Sequence, residues 1–281
     1  MVFAPERSKM RAVSQTRTIR PPAVAGTFYS REPDQLRVEV QGLLGDAGPS
    51  TAVIPKAVIA PHAGYVYSGR VAAAAFATLR GRAQAIERVV LVGPAHYLPM
   101  RGIAAPTVDD FETPLGQTPV DAAALAKVAD LPFVVRSDAP HAPEHALEVE
   151  LPFLQMLLPS FRIVPLVVGD AAAQSVAEAL RILWGGPETL IVVSSDLSHY
   201  HGYEAARRLD AATAAAIERG DWVSLRPDHA CGCLAVAGLL IEASRRGLTA
   251  ERLALCNSGD TAGSRDSVVG YGAWMFASGA L

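Results

Sequence analysis

Thr189-Leu190-Ile191-Val192-Val193-Ser194-Ser195-Asp196-Leu197-Ser198-His199 is an apolar run without polar alternation that ends in hydroxyls, a carboxylate and an imidazole. A strand covered on both faces reads this way, because neither face meets water. Two other runs repeat the arrangement. Lys56-Ala57-Val58-Ile59-Ala60 leads into Pro61-His62-Ala63-Gly64-Tyr65, and Arg88-Val89-Val90-Leu91-Val92 leads into Gly93-Pro94-Ala95-His96-Tyr97. In an open α/β sheet the carboxyl ends of the strands meet along one crevice, so segments that follow such strands converge there.

Working outward, 133–135, 162–168 and 267–276 are further strand candidates. Pro165 inside the second of these suggests an edge position or a bulge. Helical spacing covers 33–44, 68–79 with Ser68 as its N-cap, 144–158, 171–183, 203–219 and 231–246. The alternation predicts an α/β fold: a single-domain three-layer sandwich with a central, largely parallel or mixed sheet and helices on both faces. Residues 1–20 read as a flexible tail and 21–281 as the single domain. Half of the 281 residues are hydrophobic, which is ample for a core.

A net charge of −3 argues against an electrostatic nucleic-acid binder, and no run approaches a membrane span. Three cysteines make no disulfide framework, and the first 20 residues lack the apolar stretch of a secretory signal. A cytoplasmic location is the simplest expectation.

The polar stations carry the chemistry. His62 and His96 each follow a strand and a Pro-containing turn, placing two imidazoles within reach of one ion. Cys231, in Ala230-Cys231-Gly232-Cys233 at a helix start, is a third ligand candidate, though buried cysteines are common in cores. Asp196 and His199 would share a face if that segment begins a helix, with His199 as acid/base and Asp196 its partner; Asp196 as a simple N-cap is the alternative. His145 and Glu148, on one helical face of Glu144-His145-Ala146-Leu147-Glu148, either reach the rim of the site or form a charged first turn. Tyr65 and Tyr97 are candidates for the pocket wall. His141, His201 and His229 read as solvated loop residues.

Taken together, Ala25-Gly26-Thr27-Phe28-Tyr29, Ala60-Pro61-His62-Ala63-Gly64-Tyr65, Gly93-Pro94-Ala95-His96, Glu144-His145, Val193-Ser194-Ser195-Asp196-Leu197-Ser198-His199 and Cys231-Gly232 resemble the Memo family, also called AmmeMemoRadiSam system protein B. The likeness runs from about Pro21 to the C-terminus. Memo proteins are similar in fold to class III extradiol dioxygenases, which use non-haem Fe(II). The resemblance implies a metal held by His62, His96 and Cys231, with Asp196 and His199 lining the same pocket and His199 as acid/base. It implies iron first, with copper or zinc as alternatives, and metal-dependent redox activity on an unknown small molecule or peptide. Some eukaryotic members are described as phosphopeptide-binding adaptors. The family name implies association with a radical S-adenosylmethionine protein and an AMMECR1-like protein. Ala146, Tyr200, Phe28, Cys233 and Ala235 depart from the usual pattern at pocket walls.

Three functions follow as expectations. The first is a metal-dependent oxidoreductase, the second a metallo-hydrolase or lyase using the same pocket, and the third a non-catalytic module that binds a peptide or partner.

Overall fold

A computed structural model describes residues 16–48 and 53–278 of the chain. The strands are β1 (Ile19–Arg20), β2 (Ala57–Ala60), β3 (Arg88–Pro94), β4 (Ile103–Ala105), β5 (Asp110–Thr113), β6 (Gly116–Pro119), β7 (Val134–Arg136), β8 (Arg162–Val168), β9 (Thr189–Ser194), β10 (His199–His201), β11 (Leu248–Asn257) and β12 (Val268–Ser278). The α-helices are α1 (Pro33–Asp46), α2 (Tyr65–Ala77), α3 (Ala122–Ala126), α4 (Leu151–Leu157), α5 (Ala173–Leu183), α6 (Tyr203–Glu218) and α7 (Cys233–Arg245).

The three deciding runs become neighbours. β2, β9, β3 and β8 lie side by side and parallel, with Ile59 opposite Val193 and Val92 opposite Val193 on its other side. Every residue of β2 and β9 is buried, as unbroken apolar runs require. Antiparallel strands extend this parallel core: β12 on β2, then β10 and β11 on β12, and β4 on β8 with β7 beyond. The sheet is therefore mixed. On one face α1, α2 and α4 pack together, with α2 against β2 and β12. On the other, α5 pairs with α7, α7 lies against β3 and β9, and α6 against β11 and β12. One hydrophobic cluster runs through the sheet and both layers.

Pro165 is not at an edge. Ile163 turns its carbonyl away from β3 to accept from Asp121 N–H, and Pro165, two residues on, faces the same way. β4 reaches only Val167 and Val168, so the missing N–H falls in a gap between partners. The helix expected over 144–158 is shorter, because Pro152 fits only the first turn; α4 begins at Leu151, and 146–150 form turns. Ser68 does not cap α2, which starts three residues earlier behind Gly64. Its hydroxyl instead donates to Ala63 O at 2.9 Å.

Residues 1–15 of the expected tail lie outside the described residues. Residues 17–20 are structural. β1 pairs with β5, and β5 with β6, in a small second sheet; Arg17 pairs with Asp110 at 2.6 Å. Among the described residues, no helix is long and apolar enough to cross a membrane.

Candidate metal centre

The carboxyl ends of β2, β9 and β3 set the site. His62 follows β2, Ser194 ends β9, and His96 follows β3, so the serine lies between the two histidine-bearing turns. The turn ahead of α4 crosses the same edge and brings in His145. Asp196 pins the His62 turn by accepting from His62 N–H at 2.8 Å. Cys231 and Gly232 arrive from the start of α7. Gly232 N–H donates to Ser195 Oγ at 3.0 Å, and a Cβ on Gly232 would stand 2.8 Å from Ser194 O. Only glycine permits that approach of α7 to β9.

His62, His96 and His145 meet there. One ring nitrogen from each lies within 4.8 Å of the other two, a group that can hold a metal ion. The His96 and His145 rings stack at 4.6 Å, and His62 stands edge-on to both, at 5.1 and 5.3 Å. Cys231 Sγ is 3.3 Å from His62 Nε2. The two histidines read as ligands are thus together with a third, His145, which the sequence placed at the rim. Cys231 adjoins the cluster through His62.

Hydrogen bonds outside the cluster decide which nitrogen faces inward. Glu144 accepts from His96 Nδ1 at 2.8 Å and from His96 N–H at 2.7 Å, and also from Ala146 N–H at 2.9 Å. A carboxylate on Nδ1 leaves the Nε2 lone pair free for a cation, the usual support of a ligating histidine. Burial opposes ionisation of Glu144, yet these hydrogen bonds hold its carboxyl down to about 2. Burial and the neighbouring imidazoles hold His145 down to about 3 and His62 well below the usual histidine range. Neutral imidazoles are what metal ligation needs, so the donor set fits a borderline transition metal. Burial, followed by the charge of Asp196, pushes the Cys231 thiol up.

The cluster opens onto a cleft of 860 Å³. Tyr97, Asp196, His199 and Cys231 line it together with Phe28, Tyr67, Tyr200 and Tyr271. Burial pushes Asp196 up to about 6, against the charge of His199 and the His62 N–H. The 194–199 segment is not helical: His199 opens β10, paired with β12. Tyr200 beside it is 80% exposed with a left-handed backbone, φ 62°. Such a backbone is costly for a bulky residue and clusters at functional sites.

Tyr65 and Glu148 lie away from the cleft. Tyr65 is buried and donates to Val149 O at 2.7 Å. Glu148 is fully buried and accepts from Arg20, Tyr29 Oη, Ala23 N–H and Val24 N–H, tying residues 20–29 to the turn that carries His145. A non-helical backbone at 144–150 sends Glu148 and His145 in different directions. His141 is buried rather than solvated. His201 lines the cleft. The sequence missed Ser194 and Glu150 as supports, although a hydroxyl at the end of a fully apolar strand signals a polar partner.

The Memo-like protein family profile matches residues 20–275. The chain is 34% identical over 272 residues to a MEMO1 family protein of Aquifex aeolicus, covering 92% of this chain and 99% of the relative. It is 36% identical over 281 residues to a MEMO1 family protein of Aeropyrum pernix (90% and 98%), and 33% over 277 residues to one of Sulfolobus acidocaldarius (90% and 97%). With its stations gathered on one sheet edge and the match spanning nearly the whole chain, this protein belongs to the Memo family.

Proposed function

We propose that this protein is a metal-dependent oxidoreductase whose ion, iron first and copper next, is held by His62, His96 and His145, with Cys231 as a further donor. The observation that carries the reading is the three-imidazole cluster with a thiol 3.3 Å from His62 Nε2. Thiolate and imidazole together favour iron or copper over the hard cations. When bound, the ion would supply Lewis-acid or one-electron chemistry.

The chain's own groups do the rest. Asp196 fixes the His62 turn, and His199 stands on the cleft wall to move a proton at a substrate atom. Phe28, Tyr67, Tyr97 and Tyr200 give the mouth an aromatic rim that suits a planar or apolar substrate. No lysine or arginine lines the cleft among the described residues, which disfavours a multiply charged anion.

Oxygen uptake by the Fe(II)-loaded protein, with ascorbate as the electron donor, tests the reading. Uptake well above that of the His62→Ala variant is expected; equal uptake contradicts it. The third imidazole favours a second reading, because three histidines also make a catalytic zinc set with an open position. Protein isolated with zinc and inert toward oxygen would support that metallo-hydrolase.

A further inference from the structure

Ser194 Oγ has three partners, all at 2.7 Å: His62 Nδ1, the carbonyl of Ala146 and Glu150 Oε1. A hydroxyl donates once and accepts twice. Ala146 O can only accept, so the serine proton goes there, and the other two groups must donate. His62 therefore carries its proton on Nδ1, and Glu150 carries one on Oε1. The surroundings of Glu150 agree. It is fully buried, no basic side chain pairs with it among the described residues, and its Oε2 has no hydrogen bond. An unpaired carbonyl oxygen is tolerable there; an unpaired carboxylate oxygen is far less so. The groups whose charge bears on it are Asp196 and Tyr65, and neither favours its ionisation. At the far side of the ring, an Nδ1–H tautomer leaves Nε2 unprotonated, 3.3 Å from Cys231 Sγ, whose thiol has the Asp196 carbonyl as its acceptor at 3.7 Å.

We propose that Glu150, as a neutral carboxylic acid, and Ser194 are a buried positioning pair that locks His62 in its Nδ1–H tautomer and aims its Nε2 lone pair into the histidine cluster. His96 is held the same way by an ionised carboxylate, Glu144; His62 is held by a hydroxyl that a neutral acid orients. The pair keeps a second negative charge out of the buried wall behind the cluster. The inference rests on His62 as a ligand, but its structural half concerns only protons and is tested without metal.

The test is heteronuclear NMR on the metal-free full chain at pH 7.5. His62 should show a protonated Nδ1 and an unprotonated Nε2, and the Glu150 carboxyl carbon should resonate as a protonated acid. An ionised Glu150, or a His62 protonated on Nε2, overturns the proposal whatever the metal does. Glu150→Gln, whose amide still donates, should keep the His62 tautomer and Zn(II) affinity within about threefold, whereas Ser194→Ala should lose the tautomer and weaken Zn(II) binding about tenfold or more. Unchanged affinity in Ser194→Ala with the tautomer lost would contradict the aiming role. Absence of Zn(II) binding by the wild type would instead strike the metal reading alone.

Discussion

Glu144 grips His96 twice, through Nδ1 at 2.8 Å and through the backbone N–H at 2.7 Å. One carboxylate thus fixes both the turn and the ring of a histidine in the cluster. In Glu144→Gln one of the two acceptor oxygens becomes an amide that faces a donor. Titration with Zn(II) should show affinity reduced by roughly ten- to a hundredfold, the usual loss when a ligand's supporting partner is changed. Undiminished affinity would mean that His96 needs no such support.

Gly232 should be equally sensitive. An alanine Cβ there meets Ser194 O at 2.8 Å and Ser195 Cβ at 2.7 Å, and a backbone carbonyl in a parallel core strand cannot yield. Gly232→Ala should lower stability by about 1–3 kcal/mol. It should also move Cys231 from His62, weakening the thiolate-to-metal absorption of the Co(II)-loaded protein. A full-intensity band would place Cys231 elsewhere.

Glu148 tests whether residues 20–29 are integral. Its carboxylate is completely buried with Arg20, Tyr29 and two backbone N–H groups as donors. Glu148→Ala strands a buried guanidinium, so urea unfolding should show a loss of about 3–5 kcal/mol. A loss below 1 kcal/mol would show the pair to be dispensable.

His141 gives a pH signature away from the cluster. Burial holds it down to about 4, and it donates from Nε2 to Ala104 O at 3.1 Å while Nδ1 has no hydrogen bond. Between about 4 and the unfolded value of about 6.5, the unfolded chain binds the proton that the native chain refuses. Stability therefore rises with pH through that window, by on the order of 3 kcal/mol from this residue. His141→Gln keeps a donor and cannot titrate; its stability profile should be flatter there than that of the wild type. Parallel profiles would refute the assignment.

The parallel core was legible because short, β-branched, unbroken apolar runs such as Thr189–Val193, bounded by turn residues, read as strands covered on both faces. The stations after parallel strands share one edge. β11 was not legible. Its Thr249-Ala250-Glu251-Arg252 carries no apolar run, and its apolar side chains are only half-buried, so pairing with β12 along its whole length defines it. β5 and β6 are short and, apart from Phe111, polar, so neither carries an apolar run either. At the site, His62 and His96 stood out because each ends a strand. His145 sits in a turn whose path depends on Pro152 and on the Glu148 anchor, so a helical reading aimed it at the rim. Ser194 and Glu150 bond across 44 residues, a relation that no local spacing displays.

The central claim is that His62, His96 and His145 share one ion. Metal content of the purified chain, measured beside His62→Ala, His96→Ala and His145→Ala variants that keep the wild-type fold, tests it directly. About one ion per wild-type chain, falling to a small fraction in each variant, is the result expected of a three-imidazole site. Wild-type content in all three variants would contradict it.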